Sequence, residues 1–567
     1  MSSDAPATPP RVRPDLVDAL RADLVAADYT VTATQALLGE VAVAALRRED
    51  PVPARRVLTS RTEPAAALMC LFTLGVDLPR TRVQAALPTL GVAGALELGL
   101  LAPAPVGRGG PGTPGSPDDP GAPGSPDDPG APGGPDDPGA PGGPDAPGGE
   151  VADPLLRATI DLSPYEATDD AGEISWWIAS DRSELATGTA LGPEHVLGVG
   201  GASLTLARIT PRTRVGRVLD VGCGGGIQAL HASRHADHVV ATDLSERALA
   251  FAEFNAALNG IEIELRQGSL LEPVRGESFD LIVSNPPFVI TPRSSDEQGA
   301  WVYRDGGRAG DALLGELLEQ LPQHLLPGGR IVMLGNWEIS AADDADGDWD
   351  AHPRRWLEPA LAAAVDCWVI QRESEDPAQY AATWARDGGL TDRDARWPEL
   401  IEAWLEDFAG RDVARIGFGY LLLHRPEHSA GRRGMLRTEQ VAGTGSGTLS
   451  QHLTATLHML DTLAGMDDAA LGALRPTRAT DVVERRHLTP GQFDPMLIEL
   501  VQGGGFARVV PADQVLAATV GALDEATLTL DQTLAAVCAL TDHDLEQTRQ
   551  RVLPQLRELI LTGMLEL

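Results

Sequence analysis

Residues Leu219 to Leu230 read "LDVGCGGGIQAL". An apolar run ends at Asp220, glycines stand at 222, 224 and 226, and a helical pattern starts near Ile227. The spacing is GxGxG. A dinucleotide-binding loop would need glycine at 227, where isoleucine stands. Glycine lets a backbone adopt positive φ and approach a ligand closely. With no phosphate to cradle, the loop around Cys223 suits a cofactor with an amino-acid tail. Asp220 is placed to meet its ammonium group.

One strand–helix–strand step later, "VVATDLS" ends a second strand at Asp243, followed by Leu244. A carboxylate there can accept both hydroxyls of a ribose. Around these two motifs, residues 215–427 alternate strand and helix. "RVLDVG", "HVVATD", "IEIELRQG", "FDLIVSN", "RIVMLGN", "CWVIQRE" and "ARIGFGYLLLH" read as strands. Patterns such as "SERALAFAEFNAALNG" and "GDALLGELLEQLPQHL" read as helices between them. This is an α/β, doubly wound, Rossmann-like sheet. Residues 375–412 read as irregular, and the final strand is expected to run antiparallel.

"DVGCGGG" with "ATDLS" resembles the cofactor site of class I S-adenosylmethionine-dependent methyltransferases. The resemblance covers about residues 175–427 and implies a seven-stranded sheet. It implies S-adenosylmethionine as cofactor, held by Asp220, Gly222, Cys223, Gly224, Gly226, Asp243, Leu244, Ser269 and Asn285. Ser269 stands where many relatives carry Asp.

The fourth strand runs into "SNPPFVI", Ser284 to Ile290. Two prolines end a strand, since neither can donate to a sheet ladder. The turn falls at the ligand-binding edge of an open α/β sheet. The lone pair of an amide or aromatic amine is delocalised, so a site must hold the NH2 with acceptors to aim it. The Asn285 side-chain oxygen and the Pro286 carbonyl are such acceptors, and Phe288, with Pro287, offers a flat apolar wall. Asn285, Pro286 and Phe288 are therefore the catalytic candidates. The turn resembles the (N/D/S)-P-P-(Y/F) motif of N-methyltransferases that act on protein glutamine, adenine N6 or guanine N2. "FAEFNAALNG" (Phe251 to Gly260) and "VYRDGGRAGD" (Val302 to Asp311) resemble elements of HemK-like glutamine methyltransferases. Phe288 replaces the tyrosine usual there. Tyr303 and Trp177 complete the expected substrate-binding set. Trp176 and Trp177 are adjacent in a strand, so one of the two should be core.

The flanks are different. Residues 11–165 read as a helical, winged-helix-like module, with "DPLLRATIDLSPY" (Asp153 to Tyr165) as a strand. Residues 106–150 interrupt it with a Pro/Gly/Asp tract of period nine, starting at Pro114, that has no large apolar side chain and should be disordered. Residues 166–427 form the methyltransferase-like domain, and 428–567 a second helical module. A winged helix binds nucleic acid or packs on protein, and both readings stand.

Bulk properties narrow the classes. The 567 residues suit three or four units at about 150 residues each. The net charge of −36 argues against indiscriminate coating of nucleic acid. All 45 cations are arginine. No apolar run reaches about 18 residues and the first residues lack an apolar signal core, so a cytoplasmic protein with no membrane partner is expected. Four scattered cysteines form no CxxC pair, and His195, His231, His235 and His238 follow no ligand spacing; no metal is expected. The histidines read as solvent-facing or helix-terminal. The expected partner is a protein substrate such as a translation factor. The alternative is RNA or DNA, with the Phe288 variant and the winged helices in its favour.

Overall fold

The computed structural model describes residues 8–105, 153–169, 171–187, 191–192, 194–292, 307–428 and 431–567. Its centre is an eight-stranded mixed sheet. In chain order the strands are β1 (Val215–Val221), β2 (Ala236–Asp243), β3 (Glu264–Gln267), β4 (Phe279–Ser284), β5 (Leu325–Ser340), β6 (Asp366–Glu375), β7 (Val413–His424) and β8 (Leu436–Gln440). Across the sheet they lie β8-β6-β7-β5-β4-β1-β2-β3. β1 to β5 pair in parallel, and β7 runs antiparallel to both β5 and β6. All seven strands read from the sequence are present, the last one reversed as expected.

Side chains alternate across the sheet as a pleat requires. Val218, Val239, Leu281 and Val332 face one side, against Ala229 of α1 (Ile227–Ser233) and Ala252 of α2 (Glu246–Asn259). Leu219, Val240, Ile282 and Ile331 face the other, against Leu314, Leu317 and Leu357. Helix α2 starts at Ser245, whose hydroxyl accepts the Ala248 N–H, and stops at Gly260 in the left-handed region, φ 67°.

Three readings change here. Residues 375–412 are a helical pair, α3 (Pro377–Asp387) and α4 (Trp397–Gly410), inserted between β6 and β7. Asp376 caps α3 by accepting the Ala378 and Gln379 N–H groups, with Pro377 at the first helical position. Both helices carry an apolar stripe at helical spacing, Tyr380, Ala381, Trp384 and Ala385 in one and Trp397, Leu400, Ile401, Trp404 and Phe408 in the other, a pattern that the reading of this stretch as irregular overlooks.

The C-terminal part is not wholly helical. It supplies β8, parallel to β6, and an antiparallel meander of Val482–Leu488, Pro495–Gln502 and Val509–Ala512. The first of these is an edge strand carrying Glu484, Arg485 and Arg486, and edge charges hide the alternation. Helix Leu449–Leu463 sets Leu453, Leu457 and Leu460 against the sheet, so this part is layered onto the central domain.

In the N-terminal part, Asp153–Tyr165 is not one strand. Leu155–Ala158 pairs with Leu101–Pro103 and Leu78–Pro79, bracketing the nonapeptide tract, which lies outside the described residues. Asp161–Asp169 instead forms a hairpin with Gly172–Ser180. The N-terminal helices share a core with α2, where Leu20, Leu24 and Leu58 meet Phe251, Phe254 and Leu258. Arg21 caps the end of α2 by donating to the Ala257 and Leu258 carbonyls at 2.7 and 2.8 Å. Among the described residues no single helix is long and apolar enough to cross a membrane.

Candidate functional site

β1 and β4 are neighbours in register, with Val221 opposite Ser284, and the Ser284 hydroxyl donates to the Val221 carbonyl at 2.8 Å. The next residues are Gly222 on one strand and Asn285 on the other. The glycine loop and the Asn-Pro-Pro-Phe turn therefore leave adjacent strands at the same level of the sheet edge.

The loop is held from below. Gly222 and Cys223 donate to the Thr242 carbonyl at the end of β2. Gly222, Gly224 and Gly226 have φ of 71°, 53° and 84°, which side-chain-bearing residues rarely adopt. No atom lies within 4 Å of where a Cβ would stand at Gly222 or Gly224, whereas at Gly226 it would meet the Ala252 side chain of α2 at 3.0 Å. The first two glycines leave open space above the loop, and the third lets α2 approach. Cys223 is buried, and burial pushes its thiol well above the ordinary value, so it fills space and is not a nucleophile.

Asp243 closes the other side. One oxygen accepts the Gly224 N–H at 2.9 Å and the other the Ser245 N–H at 2.8 Å. A carboxylate can accept about four hydrogen bonds, so two positions remain for hydroxyls. Burial raises its pKa, and those backbone bonds pull it back down. Beside it Leu244 is 69% exposed, and Gly268 donates to the Asp243 carbonyl, which brings Ser269 to the same edge. Asp220 is fully buried beneath the loop, and its carboxylate accepts the Ala229 N–H of α1 at 3.0 Å. Burial pushes its pKa up to about 7, with the Asp243 charge adding to the rise. A loop with open space, an acidic group at its base, a hydroxyl-binding carboxylate and an exposed leucine fit a cofactor with an amino-acid tail, a ribose and a flat apolar ring.

At the turn, the Asn285 side-chain oxygen is buried without a hydrogen-bond partner among the described residues. Orphaned buried acceptors are uncommon and concentrate where a ligand completes them. Pro286 is buried, Pro287 and Phe288 are half-buried, and no backbone group among the described residues donates to the Pro286 carbonyl.

Sequence reading missed the residues that hold this turn. The Ile290 N–H donates to the Tyr380 hydroxyl at 2.9 Å, and the Trp404 indole N–H donates to the Ile290 carbonyl at 2.7 Å. The Asn336 amide of β5 also donates to Tyr380 at 2.9 Å. Both aromatic rings belong to the inserted helices and are fully buried. The sequence signals for them are the Asp376-Pro377 helix start and apolar residues at helical spacing, Tyr380 with Trp384 and Trp397, Leu400, Ile401, Trp404 with Phe408. Asn255 and Asn259, inside "FAEFNAALNG", were also left without a role. Their amides pair with both backbone groups of Ala179 and of Trp177, as a neighbouring strand would, and Asn255 also donates to the Gly225 carbonyl at 2.9 Å. One turn apart on α2, they tie the upstream hairpin to the glycine loop.

Other expectations are corrected. Trp177 lines no groove, because its indole N–H donates to the Tyr29 carbonyl at 2.7 Å and its ring packs on the N-terminal core. Trp176 is core, stacked on Tyr165 at 6.0 Å. His231 in the last turn of α1 and His235 just beyond its C-cap are helix-terminal as read, but buried rather than solvent-facing, and burial drives them down to about 3 and about 4. Tyr303 lies outside the described residues. Asp311, the last residue of the "VYRDGGRAGD" stretch, accepts the Glu338 N–H and faces His352 Nδ1 at 2.6 Å, a structural role. Among the described residues no group of His, Cys, Asp and Glu could hold a metal ion.

Residues 198–343 match the methyltransferase small domain, and residues 26–109 match a domain of unknown function (DUF7059). A release factor glutamine methyltransferase of Xylella fastidiosa is 38% identical over 135 residues, 22% of this chain and 49% of that protein. A ribosomal RNA small subunit methyltransferase C of Escherichia coli is 31% identical over 154 residues, 27% of this chain and 40% of that protein. The chain thus spans half or less of the length of these relatives. A T. thermophilus 16S rRNA N2 G1207 methyltransferase structure is 20% identical, covering 34% of this chain and 48% of that one, with a TM-score of 0.23.

Proposed function

We propose that this chain, which carries a methyltransferase small domain at residues 198–343, is an S-adenosylmethionine-dependent N-methyltransferase acting on the side-chain amide of a protein glutamine. The observation that carries the reading is the buried, partnerless Asn285 oxygen, one sheet position from the glycine loop. When bound, S-adenosylmethionine supplies an electrophilic methyl group on a sulfonium. Gly222 and Gly224 make room for its amino-acid tail, Asp220 provides negative charge beneath that tail, and Asp243 has lone pairs for the ribose hydroxyls. Asn285 and the Pro286 carbonyl accept the two protons of the target NH2, which turns the nitrogen lone pair away from them. Phe288 limits tilting of the planar group. No strong base is needed, since the methylated nitrogen is cationic and acidic and gives up one proton to water after transfer. The rate enhancement is one of positioning and preorganised dipoles.

Incubation with tritiated S-adenosylmethionine and cell extract tests this. The expected label survives RNase and is lost to protease. A second reading, methylation of a nucleobase in RNA, is favoured by Phe288 in place of tyrosine and by the ribosomal RNA methyltransferase relative. It predicts the opposite pattern. No transfer into either fraction, with no cofactor binding at millimolar concentration, sinks both.

A further inference from the structure

The helices inserted between β6 and β7 place a second orphan at the turn. Trp384, on α3, meets Phe288 at 6.3 Å between ring centres and 75° between planes. Its indole N–H is buried and has no hydrogen-bond partner among the described residues. A buried tryptophan N–H normally finds an acceptor. Three residues before Phe288, the Asn285 oxygen is the matching case of an acceptor without a donor. The turn thus carries an unused acceptor at Asn285, and the ring packed on its Phe288 carries an unused donor.

We propose that α3 is the acceptor-recognition element of this enzyme, with the Trp384 indole N–H donating to the carbonyl oxygen of the carboxamide whose NH2 is held by Asn285. The proposal rests on the N-methyltransferase reading above and names the group that the site selects. A carboxamide presents an oxygen acceptor and an NH2 donor side by side in one plane, the complement of the two orphans. The geometry favours it over a nucleobase. Rings at 75° form a corner, not the parallel-faced slot in which a base stacks on both sides. The corner is also rigid. Tyr380, one turn before Trp384, accepts the Ile290 N–H, and its ring stacks on Phe418 at 5.7 Å and meets Phe408 edge-on at 5.6 Å. Trp404 holds the Ile290 carbonyl from α4. Both backbone polar groups of the residue two beyond Phe288 are therefore fixed by the same insertion that supplies Trp384. Tyr380 and Trp404 are positioning residues, and Trp384 is the one that touches substrate.

The test uses the full chain with 15N-labelled tryptophan and saturating S-adenosylhomocysteine. The Trp384 indole resonance is assigned by its loss in Trp384→Phe. The probes are N-acetylglutamine methylamide and guanosine. The expected result is that the blocked glutamine shifts the Trp384 N–H resonance downfield and guanosine leaves it in place. In kinetics with the blocked glutamine, Trp384→Phe keeps an aromatic ring against Phe288 and removes the donor together with part of the indole. KM should rise about tenfold, as for one lost hydrogen bond, with kcat and cofactor affinity unchanged. An unmoved resonance, a shift with guanosine instead, or an unaltered KM in an active wild-type background overturns the recognition role alone. Wild-type enzyme that binds no cofactor and transfers no methyl group overturns the methyltransferase reading beneath it.

Discussion

The two halves of the sheet edge are built differently. On the cofactor side, contacts are near in sequence. The glycine loop meets Asp243, 19 residues on at the Gly224 bond, and the Asp220 carboxylate meets Ala229, 9 residues on. On the acceptor side, contacts are remote. Ile290 is held by Tyr380, 90 residues away, and by Trp404, 114 residues away. A loop that ligates through its own backbone needs short-range sequence rules, and those rules stay visible. A pocket that must fit one substrate is walled by whatever insertion reaches it, and nothing local announces it.

The contrast can be broken or sharpened by substitution. The largest effect is expected at Asn255, which is fully buried and satisfies both backbone groups of Ala179 and the Gly225 carbonyl. Asn255→Ala leaves these unpaired and should cost about 3 kcal/mol or more in chemical denaturation, with weakened cofactor binding. Asn285→Ala should do the reverse, leaving cofactor affinity intact while turnover falls about 10²-fold. If both variants lose cofactor binding equally, the two halves are not separable.

The pH dependence of cofactor affinity isolates the cofactor side. Asp220 is raised to about 7, so below that pH it is protonated and cannot hold an ammonium charge. Affinity measured by calorimetry should be full above about pH 7 and fall as pH drops through it, approaching about tenfold per unit. Asp220→Asn should flatten that profile. Stability of the ligand-free chain should move the other way, declining as pH rises from about 4, where the unfolded carboxyl ionises, to about 7. Tyr380→Phe removes one acceptor from the Ile290 N–H and from Asn336. It should lower kcat several-fold, consistent with about 1 kcal/mol for a neutral hydrogen bond, without moving cofactor affinity. The smallest effect on activity is expected from replacing residues 106–152 by a linker of about five residues. Shortening the loop between the paired strands Leu101–Pro103 and Leu155–Ala158 should stabilise folding by at most about 2 kcal/mol and leave turnover unchanged.

Much of the architecture could be read from the chain. Seven strands alternate with helices in an apolar rhythm that tolerates few alternatives, and Gly222, Gly224 and Gly226 all take the positive φ that their type suggested. Trp177 was misplaced because a tryptophan in a strand looks the same whether it faces a ligand or another module, and here the N-terminal helices claim it. The helices α3 and α4 have legible apolar faces, but what those faces cover is not legible, because the cluster of Ile290, Tyr380, Trp404, Phe408 and Ile416 draws on segments more than a hundred residues apart. The edge strand Val482–Leu488 escaped because its exposed charges obscure its period.

Composition and local pattern were sufficient for seven strands and for the positive-φ glycine loop, since each depends on backbone propensity and spacing within one strand–helix–strand step, whereas the reversed last strand was expected from an irregular connection that is in fact two helices. Only the folded chain could reveal that the Asn285 oxygen is buried and unpartnered, that Trp384 offers an unused donor at Phe288, and that the C-terminal part completes the sheet with an eighth strand. Those facts depend on which distant surfaces exclude water together, a property of packing across about a hundred residues that no short window of sequence contains.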